Sequence, residues 1–234
     1  MSSRLRDLLP KRTEQPVAEP LKLRRRDMEV TGTTTEGGAA VAAVPKPNTI
    51  GPLTAEQVLD NIRKAQESSR CSYEKALAEI RQGAKRSCWI WYVWPCLAPV
   101  RVTSRPEFSL PDIAAATAYL RDPVLNGRLR EITQEATRQL ATGVRPFVLF
   151  GGATDARKFN ETMTFFAVAA IEASLWTDAR VFLDASDAVG WPLCPRTIEY
   201  IATDGGLPRF SGLKCSSELE SMLPAAQTGT EDVS

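Results

Sequence analysis

Apolar residues recur every three or four positions through the middle of the chain and thin out at both ends. Val58, Leu59, Ile62 and Ala65 form one helical stripe, and Thr54 with Gln57 three residues on is a capping-box pattern in front of it. Ser72 can cap a second helix carrying Tyr73, Ala76, Leu77 and Ile80, which ends at Gly83. Residues 89–94 (WIWYVW) are apolar all round, so they read as buried, with helix or strand left open; Pro95 ends the run. Ser109 or Leu110, followed by Pro111, starts a helix containing Ile113, Ala116, Ala118 and Tyr119. Asp122-Pro123 repeats that start, ahead of Val124, Leu125, Leu129, Ile132, Ala136 and Leu140, and Gly143 stops the helix. A short apolar run at 147–150 precedes Gly151-Gly152. Asp155 caps a turn at 156–158, and residues 164–176 form a long apolar helix. Asp178 caps the next helix, with Val181, Phe182 and Ala185, and Pro195 opens the last, with Ile198 and Ile201. There are no alternating β-branched strands with hairpin turns and no repeat. The pattern predicts an all-α fold, a single multi-helix bundle.

Aromatic placement sets the domain boundaries. The eight Phe, five Trp and four Tyr all fall between Tyr73 and Phe210. Segments without such side chains have little area to bury against their ordering entropy. Residues 1–50 therefore read as a disordered, low-complexity arm, residues 51–212 as the helical domain, and residues 213–234 as a flexible tail. Within the arm, 31–43 (TGTTTEGGAAVAA) has linker composition. The run at 21–27 (LKLRRRD) is either part of that solvated linker or a basic docking or nuclear-localisation patch.

Composition then excludes several chemistries. The chain has 234 residues, a formal net charge of +1, five cysteines and no histidine. No Ser-His-Asp or Cys-His nucleophile, imidazole base or imidazole-bound metal is available. Near-neutral charge gives no global pull toward nucleic acid or a charged membrane. No apolar stretch reaches the ~20 residues of a membrane span. Arg4, Arg6 and Asp7 at the start are unlike a secretory signal. Asp7, Glu14, Glu19, Pro10, Pro16 and Pro20 interrupt a mitochondrial presequence. The expectation is an intracellular, cytoplasmic protein with free thiols, with nucleus and mitochondrion left open.

Several motifs, in order, resemble one known family. Residues 73–81 (YEKALAEIR) with Gly83-Ala84-Lys85 match an opening helix and the basic residue after it. Ser87, Trp89, Trp91, Tyr92 and Pro95 fit a Ser-His-Trp-Met-Trp-aromatic-x-x-Pro-Gln signature. The stretch Ala118-Tyr119-Leu120, Asp122-Pro123-Val124-Leu125 and Arg128-Leu129 forms the next block. Phe150-Gly151, Asp155, Lys158, Met163-Thr164 and Phe166 follow a Phe-Gly-x-x-Asp-x-x-Lys-Leu-Arg-Ser-Ser-Met-Thr-Leu-Phe segment, and Pro195-Arg196-Thr197 a closing Asp-Pro-x-Thr. In this the chain resembles the DUF1810 family, all-helical domains of the Rv1873-like type. The resemblance implies an α-helical bundle and assigns no activity. Against the family pattern, the signature histidine is Cys88, the glutamine after the Pro is Cys96, and the acidic residue before the closing Pro is Cys194. Asn160 stands for the family arginine and Glu161-Thr162 for its serine pair. The apolar frame is kept and the polar set altered.

Three constellations remain as candidate chemistry. Lys158 with Asp155, Glu161 and Thr162 is either an anion or nucleotide pocket, with Gly151-Gly152 admitting a ligand, or a capped, solvated turn. Cys88, Cys96 and Cys194 are either a soft-metal thiolate set or small buried hydrophobes; without a Cys-x-x-Cys pair or histidine, no metal or cofactor is assigned. Trp89, Trp91 and Trp94 either stack a base or sugar or fill the core. The candidate pocket is thus Ser87, Cys88, Trp91, Cys96, Asp155, Lys158, Glu161, Thr162, Thr164 and Cys194, with no catalytic residue among them. The reading is a non-catalytic protein-binding or scaffolding module with a degenerate family pocket and a protein partner. The alternatives are a nucleotide- or anion-binding protein or enzyme using residues 151–164, and a ribonucleoprotein subunit docked by its basic arm, the one route to nucleic acid. No membrane partner is expected.

Overall fold

Caps and prolines place most of the helices. A computed structural model describes residues 53–68 and 70–224. The arm at 1–50, its basic patch, and residues 225–234 of the expected tail lie outside the described residues. Helix α1 (Ala55–Gln66) starts with the capping box: Thr54 Oγ1 accepts from the Gln57 N–H, and Gln57 Oε1 accepts from the Thr54 N–H at 2.9 Å. Ser72 caps α2 (Tyr73–Arg81), and the backbone turns at Gly83 with φ of +76°. The tryptophan run holds one helical turn, α3 (Ile90–Val93). Asp122 caps α5 (Pro123–Ala141) through the Val124 and Leu125 N–H groups, with Pro123 in the first turn.

Helix α4 (Ile113–Arg121) corrects the expected start at Ser109 or Leu110. Its cap is Asp112, whose carboxylate accepts from the Ala115 N–H at 2.8 Å. Leu110 is instead fully buried and extended. It exchanges backbone hydrogen bonds with Cys96 and Ala98 in an isolated bridge to Leu97. An ionised carboxylate is a stronger acceptor than a hydroxyl, and burying Leu110 holds that backbone straight.

After α6 (Pro146–Leu149) comes the larger correction. The expected turn at 156–158 and the helix at 164–176 are one helix, α7 (Ala153–Glu172), about 30 Å long. Asp155 lies in its first turn and does not cap it. Fourteen of its twenty residues are buried, so α7 is the central helix, and Lys158, Asn160, Thr162 and Thr164 are buried in mid-helix rather than marking a break. It packs most extensively on α8 (Trp176–Val189), and also on α4, α6 and α9 (Pro195–Ala202). Ala167 and Ala170 on α7 and Ala179 and Ala185 on α8 are all buried. Asp178 likewise does not cap α8: it lies buried in the first turn, accepting from Asn126 at 3.3 Å and facing Arg130 at 3.4 Å, which ties α8 to α5.

The core centres on edge-packed aromatics. Trp94 sits 4.7 Å from Phe159 and 5.6 Å from Phe150 between ring centroids, and Phe150 stacks on Phe159 at 4.3 Å. The Trp94 indole N–H donates to Thr133 Oγ1 at 3.0 Å, so the polar atom of a fully buried ring is satisfied. Packed structure continues past residue 212, where sequence reading ended the domain. Helix α10 (Ser216–Glu220) lies on α8 with Leu219 fully buried. Leu213, Met222 and Leu223 also pack against the core, so aliphatic side chains hold a segment that has no aromatic residue. Among the described residues there is no β-strand beyond the isolated bridge, and no helix is long and apolar enough to cross a membrane.

Candidate functional site

The first three turns of α7 carry Asp155, Lys158, Glu161 and Thr162. Lys158 is 3% exposed, and its Nζ has no hydrogen-bond partner among the described residues. The ammonium lies 5.4 Å from the centroid of the Trp91 ring, a cation–π contact. Burial pushes its pKa down to about 8; Cys96, Asp155 and Glu161 pull upward and Arg101 pushes further down. Trp91 is half-buried, and it is the one residue of the 89–94 run that is not buried. Lys158 thus lies beneath the partly exposed Trp91 ring.

The two carboxylates beside it are already engaged. Glu161 accepts from Arg101 Nε at 2.5 Å and Nη2 at 2.6 Å, a two-pronged pair that keeps Arg101 firmly charged. Asp155 pairs with Lys85 Nζ at 2.7 Å, and that ammonium lies 5.5 Å from the Trp89 ring centroid. Gly151, which one of the two readings had admitting a ligand together with Gly152, faces the chain itself. Its φ is +72°, and a Cβ there would stand 2.9 Å from the Lys85 carbonyl oxygen. The close approach is chain to chain, and the Lys85 N–H donates to the Leu149 carbonyl at 2.7 Å beside it.

The sequence-derived pocket residues divide into two sets. Trp91 lies over the Lys158 ammonium, Cys96, Asp155 and Glu161 are near enough to raise its pKa, and the buried Cys194 acts in the same way on Arg101. The others are committed elsewhere. Ser87 donates to Glu79 at 2.6 Å. Thr164 donates to the Asn160 carbonyl at 2.9 Å and accepts from the Cys194 N–H at 3.0 Å. Thr162 is fully buried, facing the Trp94 and Pro95 carbonyls at 3.5 and 3.4 Å.

The three cysteines do not share one environment. Cys88 is exposed, whereas Cys96 and Cys194 are buried, Cys96 beside the Ser109 hydroxyl at 3.4 Å. Among the described residues no group of three or more Cys, Asp or Glu side chains is arranged to hold a metal. Trp89 and Trp94 are core, as one of the two readings had it.

Two site residues escaped sequence reading. Arg101 lies sixty positions from Glu161, and nothing local pairs them. Glu79 holds the loop beneath the site, accepting from Trp89 Nε1 at 2.7 Å and from the Arg86 and Ser87 N–H groups. Its signal was an acidic residue three positions from Ala76 on the apolar face of α2.

No curated protein matches the chain. Among solved structures, the conserved hypothetical protein Rv1873 from Mycobacterium tuberculosis is 27% identical, over 56% of this chain and 85% of that one, with a TM-score of 0.47. The family model described as a protein of unknown function, DUF1810, matches residues 56–186, a span that includes α2, the tryptophan turn and all of α7. The chain belongs to the DUF1810 family.

Proposed function

We propose that this chain is a non-catalytic binding module that holds a small anion at Lys158. The observation that carries the reading is the buried, unpartnered ammonium. Buried charges in folded proteins are paired, and leaving one unpaired costs a few kcal/mol. An anion seated on Lys158 removes that cost. Catalysis has little support, because Asp155 and Glu161 are both committed to ion pairs and no histidine supplies a base. A thermal-shift series with small anions tests the reading. The melting temperature should rise by a degree or more with the bound anion and stay constant in Lys158→Ala. An equal rise in the variant would sink it.

One observation favours a second reading, a scaffold for a protein partner. Phe147 is 53% exposed, faces Trp191 at 5.6 Å, and stands beside the exposed Val148. Exposed aromatic side chains are common interface anchors. A partner that co-purifies with the chain and is lost on Phe147→Asp, with helicity unchanged, supports this reading. A partner retained by that variant counts against it.

A further inference from the structure

The charges around Lys158 restrict what the site accepts. Five ionised side chains meet there: Lys85, Arg101 and Lys158 against Asp155 and Glu161. Lys85 is matched by Asp155 at 2.7 Å, and Arg101 by both oxygens of Glu161 at 2.5 and 2.6 Å. Only the Lys158 charge is unbalanced. One negative charge neutralises it; a second would face two carboxylates with no cation left to meet it.

The cover adds a shape restriction. Lys158 Nζ has no solvent-accessible area, so a ligand reaches it only where a neighbour yields. Lys85, Arg101, Asp155 and Glu161 are held in ion pairs, whereas the partly buried Trp91 sits on a single helical turn without a side-chain cap. Its ring offers a flat apolar face directly over the ammonium.

Building on the proposed anion site, we infer that its ligand is a planar monocarboxylate, with the carboxylate on Lys158 and the apolar body against the Trp91 indole. Phosphoanhydrides and nucleotides carry too much charge for this surround. A carboxylate fits because its two oxygens can accept from the ammonium and its single charge closes the balance.

Calorimetric titration of the full chain at neutral pH with benzoate, inorganic pyrophosphate and ATP tests this. Benzoate should bind one to one and change the tryptophan fluorescence of the wild type, but not that of Trp91→Phe. Pyrophosphate and ATP should bind at least about tenfold more weakly. Lys158→Met and Lys158→Gln should both lose benzoate binding while keeping wild-type helicity. Pyrophosphate or ATP binding as tightly as benzoate overturns the monocarboxylate inference and leaves the anion site standing. No binding by any of the three, or binding unchanged in both Lys158 variants, overturns the two together.

Discussion

The Glu79 carboxylate accepts a hydrogen bond from the Trp89 indole N–H at 2.7 Å, fastening α2 to the start of the tryptophan turn. The Arg86 N–H at 2.8 Å and the Ser87 N–H and hydroxyl at 3.0 and 2.6 Å complete its shell. Burial alone would raise its pKa, but the bonds from Ser87, Arg86 and Trp89 outweigh it and hold it at about 2. A depressed carboxylate stabilises the fold fully above the unfolded value of 4.5, and that contribution is lost as pH falls toward about 2. Across that window the shift is worth about 3 kcal/mol. Glu79→Gln should cost about 2–3 kcal/mol at neutral pH and flatten the acid limb of stability against pH, as read by urea unfolding. An unchanged acid limb would show that the carboxylate does not hold this loop.

Lys158 carries the opposite sign. Its folded pKa of about 8 lies below the ordinary 10.5, so between those values the unfolded chain binds more protons and stability rises with pH. Below about 8 both states are charged, and the full penalty of burying the ammonium applies. Without ligand, Lys158→Met should therefore be more stable than wild type at neutral pH, by about 1–3 kcal/mol. The gap should narrow as pH rises toward 10. A Lys158→Met protein less stable than wild type at neutral pH would mean the ammonium is already satisfied.

Phe159 stacks on Phe150 and meets the edge of Trp94. Phe159→Ala removes the centre of that cluster and should cost about 3–5 kcal/mol in chemical denaturation, with Phe159→Leu losing less. Because Phe159 adjoins Lys158 on α7, loosening this cluster should also weaken anion binding.

Leu219 is fully buried, whereas the Arg180–Glu220 ion pair near it is solvated. Leu219→Ala should cost about 2–4 kcal/mol. Arg180→Ala should cost below about 1 kcal/mol. Equal, small losses would mean that α10 contributes nothing to the bundle.

Local signals in the sequence carried much of this architecture. The Thr54–Gln57 box, Ser72, Asp122-Pro123 and Pro195 each act within a few residues of their own helix, and each start was read correctly. The failures share one cause. Asp155 and Asp178 have the chemistry of caps, yet their partners, Lys85 for one and Arg130 with Asn126 for the other, come from distant elements. Lys158, Asn160 and Thr162 look like a polar interruption because sequence does not show that all three are buried. The same holds for the site. Lys158 stood out as a cation in an apolar setting, but Arg101 and Glu79 acquire meaning only from carboxylate and indole groups brought to them by folding.

Nuclear magnetic resonance of labelled lysine side chains, with Lys158→Met to assign the signal, measures the central ammonium directly. The ligand-free protein should show Lys158 titrating near about 8, and saturating benzoate should move that titration upward, because an anion favours the charged form. Titration at the ordinary 10.5, unmoved by benzoate, would contradict the account.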